Sequence, residues 1–504
     1  MHEEQTAGVG AERRIGQIEG PGFAERVKGA IIWRSGSQIV AQVLTWGSTF
    51  LVIRMLSPSD YGLFAMTQVV LMLLTLLNGY GFASALIQSE SIDRQRVRQA
   101  FGMLLLLNGA LAAAQIALAP LAAAYFRQPI VADLLRVQAL FYLSTPFIAL
   151  PNALLSREMD FRKQAKVNFA SALAGAGTAL ACAWLGWGVW TLVAAPMALW
   201  WTRAIGMTIA ARSLVWPSFR FKGAGHLFRF GGAMMAIQLF WFIQVQADVM
   251  IAGRVLDPHQ LGIYTTALFL TQILATKFVP PLNEVAFAAY SRIQGERQRM
   301  SLAFLKAVRL IMLVSLPFYL GLAATAEPLV LTFLGPKWAE TIAIVPLLAL
   351  AMPVFTLQIL FAPATNALGR PGIALRTGAV AATVMPLAFL SGIGWGIEGL
   401  AYAWLGGIIV ITAATLALSL PPLGVTLGQL GRSLAPGVVA ATAMALGVAA
   451  LDTLLPPMAP QPRFAILLAF GGLLYAGGIL LFARSLAEEV AALFRSRGPA
   501  APAL

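Results

Sequence analysis

Fourteen apolar runs, each about long enough to cross a bilayer and joined by connections too short to fold alone, constrain this chain more than any motif in it. A helical span needs about 20 apolar residues. The runs fall at 31–54, 62–87, 100–125, 132–155, 166–186, 189–211, 229–254, 262–286, 302–325, 341–365, 372–393, 397–419, 434–454 and 464–484. In hydrocarbon every backbone N–H and C=O needs a partner within its own segment, so such runs fold as helices. The expected fold is an all-α integral membrane protein with about fourteen transmembrane helices. Composition agrees, with 59% hydrophobic and 11% charged residues, against about 25% charged in soluble domains.

The formal net charge of +14 does not point to nucleic acid, because the basic residues sit singly or in small groups between apolar runs. Alternate connections collect them: Arg94, Arg96 and Arg98; Arg157, Arg162, Lys163 and Lys166; Arg212, Arg220 and Lys222; Arg292, Arg297 and Arg299; then Arg370 and Arg432. The intervening connections hold Arg127, Lys337 and Arg463, with Arg54 and Arg254 at helix ends. Cytoplasmic loops carry the excess of Lys and Arg, so fourteen spans with both termini cytoplasmic satisfy the pattern throughout. Residues 1–28 then form a polar cytoplasmic tail without the apolar core of a cleaved signal peptide, and 486–504 form a second tail.

Enzymatic chemistry has little to stand on. The longest outer connection, about Ala326 to Glu340, is too short for an extramembrane catalytic domain. There is no G-x-x-x-x-G-K-[ST] phosphate loop and no H-E-x-x-H. One cysteine, Cys182, lies within an apolar run, and the histidines His2, His226 and His259 are scattered. Neither a metal nor another cofactor is expected.

The chain also repeats itself. Arg54 to Met66 (RMLSPSDYGLFAM) returns as Arg254 to Ala267 (RVLDPHQLGIYTTA), with Arg54, Leu56, Pro58 and Gly62 matching Arg254, Leu256, Pro258 and Gly262. The offset is 200 residues without a gap. Each copy joins two long apolar runs, where Pro ends a helix and Gly reopens the chain. Phe147 to Leu154 (FIALPNAL) and Phe361 to Leu368 (FAPATNAL) form a second echo. Repeated transmembrane halves are a common architecture of secondary transporters.

Polar side chains within spans cost roughly 2.5–3.5 kcal/mol for Arg, Lys or Asp at a helix centre, and they mark interior or cavity-facing positions. Arg34, Gln38 and Gln42 fall at i, i+4 and i+8 on one face of the first span, although Arg34 also lies near enough to the helix start to snorkel. Gln238 is the 200-offset partner of Gln38 and shares a face with Trp241, Val245 and Asp248. Asp248 lies about 9 Å from the outer helix end; it either couples an ion or pairs with Arg54 or Arg254. Lys277 is too deep in the eighth span to snorkel. This interior is more basic than acidic, which suits an anionic cargo.

These features resemble the polysaccharide transporter family, the Wzx-type oligosaccharide flippases of the multidrug/oligosaccharidyl-lipid/polysaccharide exporter superfamily. The resemblance rests on Leu56 to Met66 (LSPSDYGLFAM), Gly79 to Gln88 (GYGFASALIQ), Arg157 to Phe161 (REMDF), Asp248 with Gly253 and Leu261 to Tyr264, Ser291 to Gln294 (SRIQ), Leu334 to Trp338 (LGPKW) and Asn366 to Arg370 (NALGR). It covers roughly residues 30–420. It implies two six-helix lobes, 29–211 and 226–420, related by a pseudo-twofold axis, with an accessory helix pair over 433–485. It further implies a bacterial inner-membrane flippase that moves undecaprenyl-diphosphate-linked oligosaccharide units to the periplasmic leaflet by alternating access, for O-antigen, capsule or exopolysaccharide synthesis, alongside a polymerase and chain-length machinery. For that cargo the cost of polar side chains within spans, rather than any family signature, assigns Arg34 and Lys277 to diphosphate or acidic sugar and Gln38, Gln42 and Gln238 to sugar hydroxyls. A peptidoglycan-precursor flippase shares the fourteen spans and a basic cavity. A cation-coupled drug antiporter of the same superfamily requires an acidic cavity, and a polymerase or ligase requires larger outer loops. A structural scaffold leaves Lys277 unexplained.

Overall fold

The computed structural model describes residues 42, 44–77, 94–157, 160–219 and 231–482. Among these residues there is no strand, and all fourteen expected spans fall on helix. The first is seen over 44–55 and the second over Pro58–Leu77. Arg94–Phe126 forms the third, and Ile130–Arg157, in three closely joined pieces, the fourth. Phe161–Trp184 and Val189–Ala211 are the fifth and sixth, and Gly231–Val255 is the seventh. The eighth runs over Pro258–Arg292. Arg297–Ala324 forms the ninth, and Thr341–Ala367 the tenth. The eleventh and twelfth are Pro371–Gly392 and Gly396–Leu423, separated by a 3-10 turn at Ile393–Trp395. Leu427–Leu454 and Pro460–Phe482 complete the series.

The outward surfaces of these helices are apolar. Ile209 is 70% exposed, Leu446 67% and Leu473 75%. In water such surfaces drive association; in a bilayer they face lipid tails at no cost. The chain is therefore a multi-pass membrane protein.

The described residues divide into two compact units, one within Met1–Met55, Leu77–Ala124 and Gln128–Arg229, the other within Leu56–Leu76, Tyr125–Arg127 and Phe230–Leu504. In the first, spans five and six pack along their lengths, and span six also packs on the second half of span four. Gln115 reaches from span three to the Leu135 carbonyl oxygen at 2.8 Å. In the second unit, span seven packs on span eleven and span eleven on span twelve, while span nine holds span thirteen. A core cluster there includes Met300, Phe304, Val308, Phe361 and Leu423, with the Phe304 and Phe361 rings 4.9 Å apart. Arg463 ties the last two spans together: its Nε and Nη2 reach the Asp452 carboxylate at 2.7 and 2.9 Å, and Nη2 lies 3.2 Å from Glu327.

Contact thus groups residues 56–76 with the second unit, whereas the sequence division places them in a lobe over 29–211. The repeat explains this. Pro58 and Pro258 do not end helices: each is the first residue of one, where a missing N–H costs nothing. The caps precede them. Asp257 accepts from the Gln260 N–H at 2.8 Å, and Ser57 exchanges hydrogen bonds with Asp60, its hydroxyl donating to Asp60 Oδ2 at 2.6 Å. Gly62 and Gly262 lie within the helices rather than reopening the chain. A Cβ on Gly62 would fall 1.9 Å from the Pro258 carbonyl oxygen, and one on Gly262 would fall 1.7 Å from the Pro58 carbonyl oxygen. The two copies of the repeat meet reciprocally, backbone to backbone, and only glycine permits that approach.

Candidate functional site

The turn at Leu256 and Asp257 folds span eight back along span seven, which returns Tyr264 to the level of Asp248. Span twelve supplies Trp404. Asp248, Tyr264 and Trp404 have no exposure. The Tyr264 hydroxyl donates to Asp248 Oδ2 at 2.8 Å. The Trp404 indole N–H lies 2.9 Å from the Tyr264 oxygen and 3.3 Å from Asp248 Oδ2. Asp248 Oδ1 accepts the N–H of Val249 at 2.7 Å. Phe355 and Phe389 set their rings edge-on to the indole, with centroids at 5.8 and 5.9 Å. A carboxylate is an acceptor only, and here donors from three helices converge on it. In a medium of low dielectric such charge-assisted bonds are strong, and an unpaired partner is costly. The cluster therefore fastens spans seven, eight and twelve through a group that can take up a proton.

The expected pairing of Asp248 with an arginine is not what the structure shows. Tyr264, Trp404 and backbone occupy the carboxylate. Arg254 lies six residues further on, about 1.7 turns, and so leaves the helix on another face. Its guanidinium donates to the Tyr125 carbonyl oxygen and lies 5.6 Å over the Tyr125 ring, while the Tyr125 hydroxyl donates to the Met250 carbonyl oxygen at 3.2 Å. Arg254 anchors span seven to the end of span three. Arg54 is exposed at the end of the helix over 44–55, in the first unit.

Lys277 occupies a five-residue π-helical turn, Leu274–Phe278, and its side chain is exposed. The prolines at 280 and 281 explain the widening. In an α-helix their rings would press on the Thr276 and Lys277 carbonyls four residues back, and the wider turn, closed by the Val279 N–H on the Leu274 carbonyl oxygen, relieves that clash. The Thr276 hydroxyl turns back to the Gln272 carbonyl oxygen at 2.8 Å. Single π-turns inside α-helices often mark functional positions. Gln238, in the second unit, and Gln42, in the first, are both exposed. Arg34 and Gln38 lie outside the described residues.

Tyr264 is legible in the sequence as the counterpart of Phe64, but its role is not. Trp404 goes unnoticed there. The one available signal is that a buried indole N–H requires an acceptor, and Asp248 is the buried carboxylate in the same half of the chain.

The family described as "Polysaccharide biosynthesis protein" matches residues 51–343. The chain is 26% identical over 489 residues to the succinoglycan biosynthesis transport protein ExoT of Rhizobium meliloti (strain 1021), a match covering 93% of this chain and 96% of the relative. Among solved structures it is similar to the lipid II flippase MurJ in its inward closed conformation, with TM-score 0.69 and 14% identity over 90% of this chain and all of that one. An inward-facing multidrug resistance MATE family transporter of the MOP superfamily matches with TM-score 0.57 and 16% identity over 80% of this chain and 98% of that one. At these identities the two structures speak for the fold.

Proposed function

The chain belongs to the polysaccharide biosynthesis protein family, and from that premise we propose that, as a Wzx-type member of the multidrug/oligosaccharidyl-lipid/polysaccharide exporter superfamily, it flips undecaprenyl-diphosphate-linked oligosaccharide units from the cytoplasmic to the periplasmic leaflet of a bacterial inner membrane. In this reading it is a transporter, not an enzyme, as the name of the succinoglycan relative supports. The observation that carries the reading is the likeness to a succinoglycan transport protein along nearly the whole of both chains.

In this reading, lobes over 29–211 and 226–420 alternate access while the pair over 433–485 stands beside them, and both termini face the cytoplasm. Lys277 and Arg34 neutralise the diphosphate, and Gln38, Gln42 and Gln238 bond sugar hydroxyls. Exposure of Lys277 on a widened helical turn supports its part in this, because a cation within a span is costly unless it meets water or an anion. Asp248 serves as the coupling group. Among the described residues it is the fully buried acid, and no cation neutralises it. Protonation turns one oxygen from acceptor to donor and so loosens a contact joining three helices. A polymerase and chain-length machinery would take up the product.

The test is translocation of lipid-linked oligosaccharide in proteoliposomes by the wild type and by Lys277→Ala at matched folded protein. Transport by the wild type with loss in the variant is the expected result. A variant that transports as well as the wild type removes Lys277 from the site. A wild type that moves peptidoglycan precursor or an organic cation instead replaces the substrate class.

A further inference from the structure

The second unit holds a cavity of about 170 Å³ among spans seven, ten, eleven and twelve. Trp241 and Phe355 line it beside Gln244, Gln358, Thr377 and Ser419, a wall of aromatic faces, amides and hydroxyls without a charge. Two of its polar atoms lack partners: Gln358 Oε1 and Ser419 Oγ make no hydrogen bond, and Ser419 is 1% exposed. An unsatisfied buried polar group costs about 1–3 kcal/mol, so such atoms on a cavity wall mark where a polar ligand is received.

A second cavity, of about 310 Å³, is lined by Arg370, Gly372, Ile373, Arg376 and Leu418. Ile373 borders both spaces, and Leu418 precedes Ser419 in the chain. Arg370 is the N-cap of span eleven, where the unpaired N–H groups and the helix dipole favour an anion. Both arginines are exposed, and neither forms an ion pair among the described residues. An anion-binding end thus adjoins a neutral, amide-rich pocket.

We propose that these neighbouring cavities dock the head of a lipid-linked glycan, with the diphosphate on Arg370 and Arg376 and the first sugar ring against Trp241, bonded by Gln358 and Ser419. The chemistry fits part by part. A pyranose ring offers an apolar face to an indole and hydroxyls to amides, and Arg forms bidentate bonds to phosphate oxygens. Drug-sized ligands occupy about 300–1,000 Å³, so the inner cavity admits a single ring and reads only the sugar next to the phosphate. This assignment rests on the transport reading given above, and adds to it a docking site on the second unit distinct from Lys277 and Gln238.

The experiment measures binding to the full chain in lipid nanodiscs with three probes: undecaprenyl diphosphate bearing one hexose, undecaprenyl diphosphate, and inorganic pyrophosphate. Arg370→Gln with Arg376→Gln weakens both lipid probes by about tenfold or more. Gln358→Leu with Ser419→Ala weakens the hexose-bearing probe by about tenfold and leaves undecaprenyl diphosphate unchanged. Ser419→Ala removes a hydroxyl that bonds nothing, so the fold tolerates it. Unchanged binding of the hexose-bearing probe in both double variants overturns the site. So does pyrophosphate that binds as tightly as the lipids with no effect of Gln358→Leu, since that describes a free-phosphate site. Wild-type translocation together with unaltered binding in the variants refutes the docking site alone. Absent translocation with these binding losses intact refutes the transport reading alone.

Discussion

Gly62 and Gly262 lack the one atom that would separate two backbones, and their substitution has a definite sign. In Gly62→Ala or Gly262→Ala the new methyl meets a carbonyl oxygen within 2 Å, and the clash is with backbone rather than a side chain that can swing away. Overpacking of this kind costs about 1–3 kcal/mol. Gly109→Ala is the control, because nothing lies within 4 Å of its Cβ position and alanine gains up to about 1 kcal/mol in a helix interior. Thermal melting in detergent should lower the midpoint for the first two and hold or raise it for the third. The Asp248 cluster gives a cleaner test in Tyr264→Phe, which keeps the ring while removing both the 2.8 Å donor to Asp248 and the acceptor 2.9 Å from the Trp404 indole. It should destabilise by about 1–3 kcal/mol. Melting unchanged from the wild type would contradict the geometry.

At the level of single helices, bilayer physics made the spans readable, and local chemistry fixed details that hydropathy does not carry. Among the described residues the apolar runs located the spans but not the short helix Ala326–Phe333 in the connection after span nine, and the roles of Pro58 and Pro258 turned on which side of a short loop they occupy. Proline both stops one helix and starts the next, and only the cap residues Ser57 and Asp257 before it decide between them. The π turn at Lys277 likewise follows from the prolines at 280 and 281, a signal present in the sequence but invisible to a hydropathy window. Asp160 shows the same economy outside the membrane. It caps span five, accepting from the Lys163 N–H at 3.2 Å while its other oxygen pairs with the Lys163 ammonium at 2.8 Å. The bond from the Lys163 side chain holds its carboxyl below the usual value. A carboxyl lowered in the folded state stabilises above its unfolded value of about 3.9, and that contribution fades as pH falls through the folded value. Protection of the Lys163 amide, its exchange rate relative to the unstructured chain at the same pH, should therefore be high near neutrality and fall below about pH 4. In Asp160→Ala protection should be low at both, and an Asp160→Ala profile that still steps with acid would assign the step to another group.

For the whole molecule, the spans and Asp248 were legible and the partners of Asp248 were not, for one physical reason. Membrane crossing depends on sums over about 20 residues, which a sequence displays. A site depends on which faces of distant helices meet, and Asp248 finds Trp404 across 156 positions. Charge asymmetry of the loops is again a sum, and it carries the orientation proposed above. Exposed Gln294 lies in a connection with Arg292, Arg297 and Arg299, whereas exposed Lys337 lies in one poor in basic residues. The chain has a single cysteine, Cys182, buried in span five, so Cys182→Ala provides a background without other thiols. On it, Lys337→Cys should react with a membrane-impermeant maleimide in intact spheroplasts, and Gln294→Cys only after the membrane is opened. The two positions lie at opposite ends of span nine, so an inverted chain exchanges the two labels, and equal labelling of both in sealed cells denies that span nine crosses. An inverted result would place Arg370 and Arg376 on the outer side, turning the proposed docking cavity from a loading site into one of release.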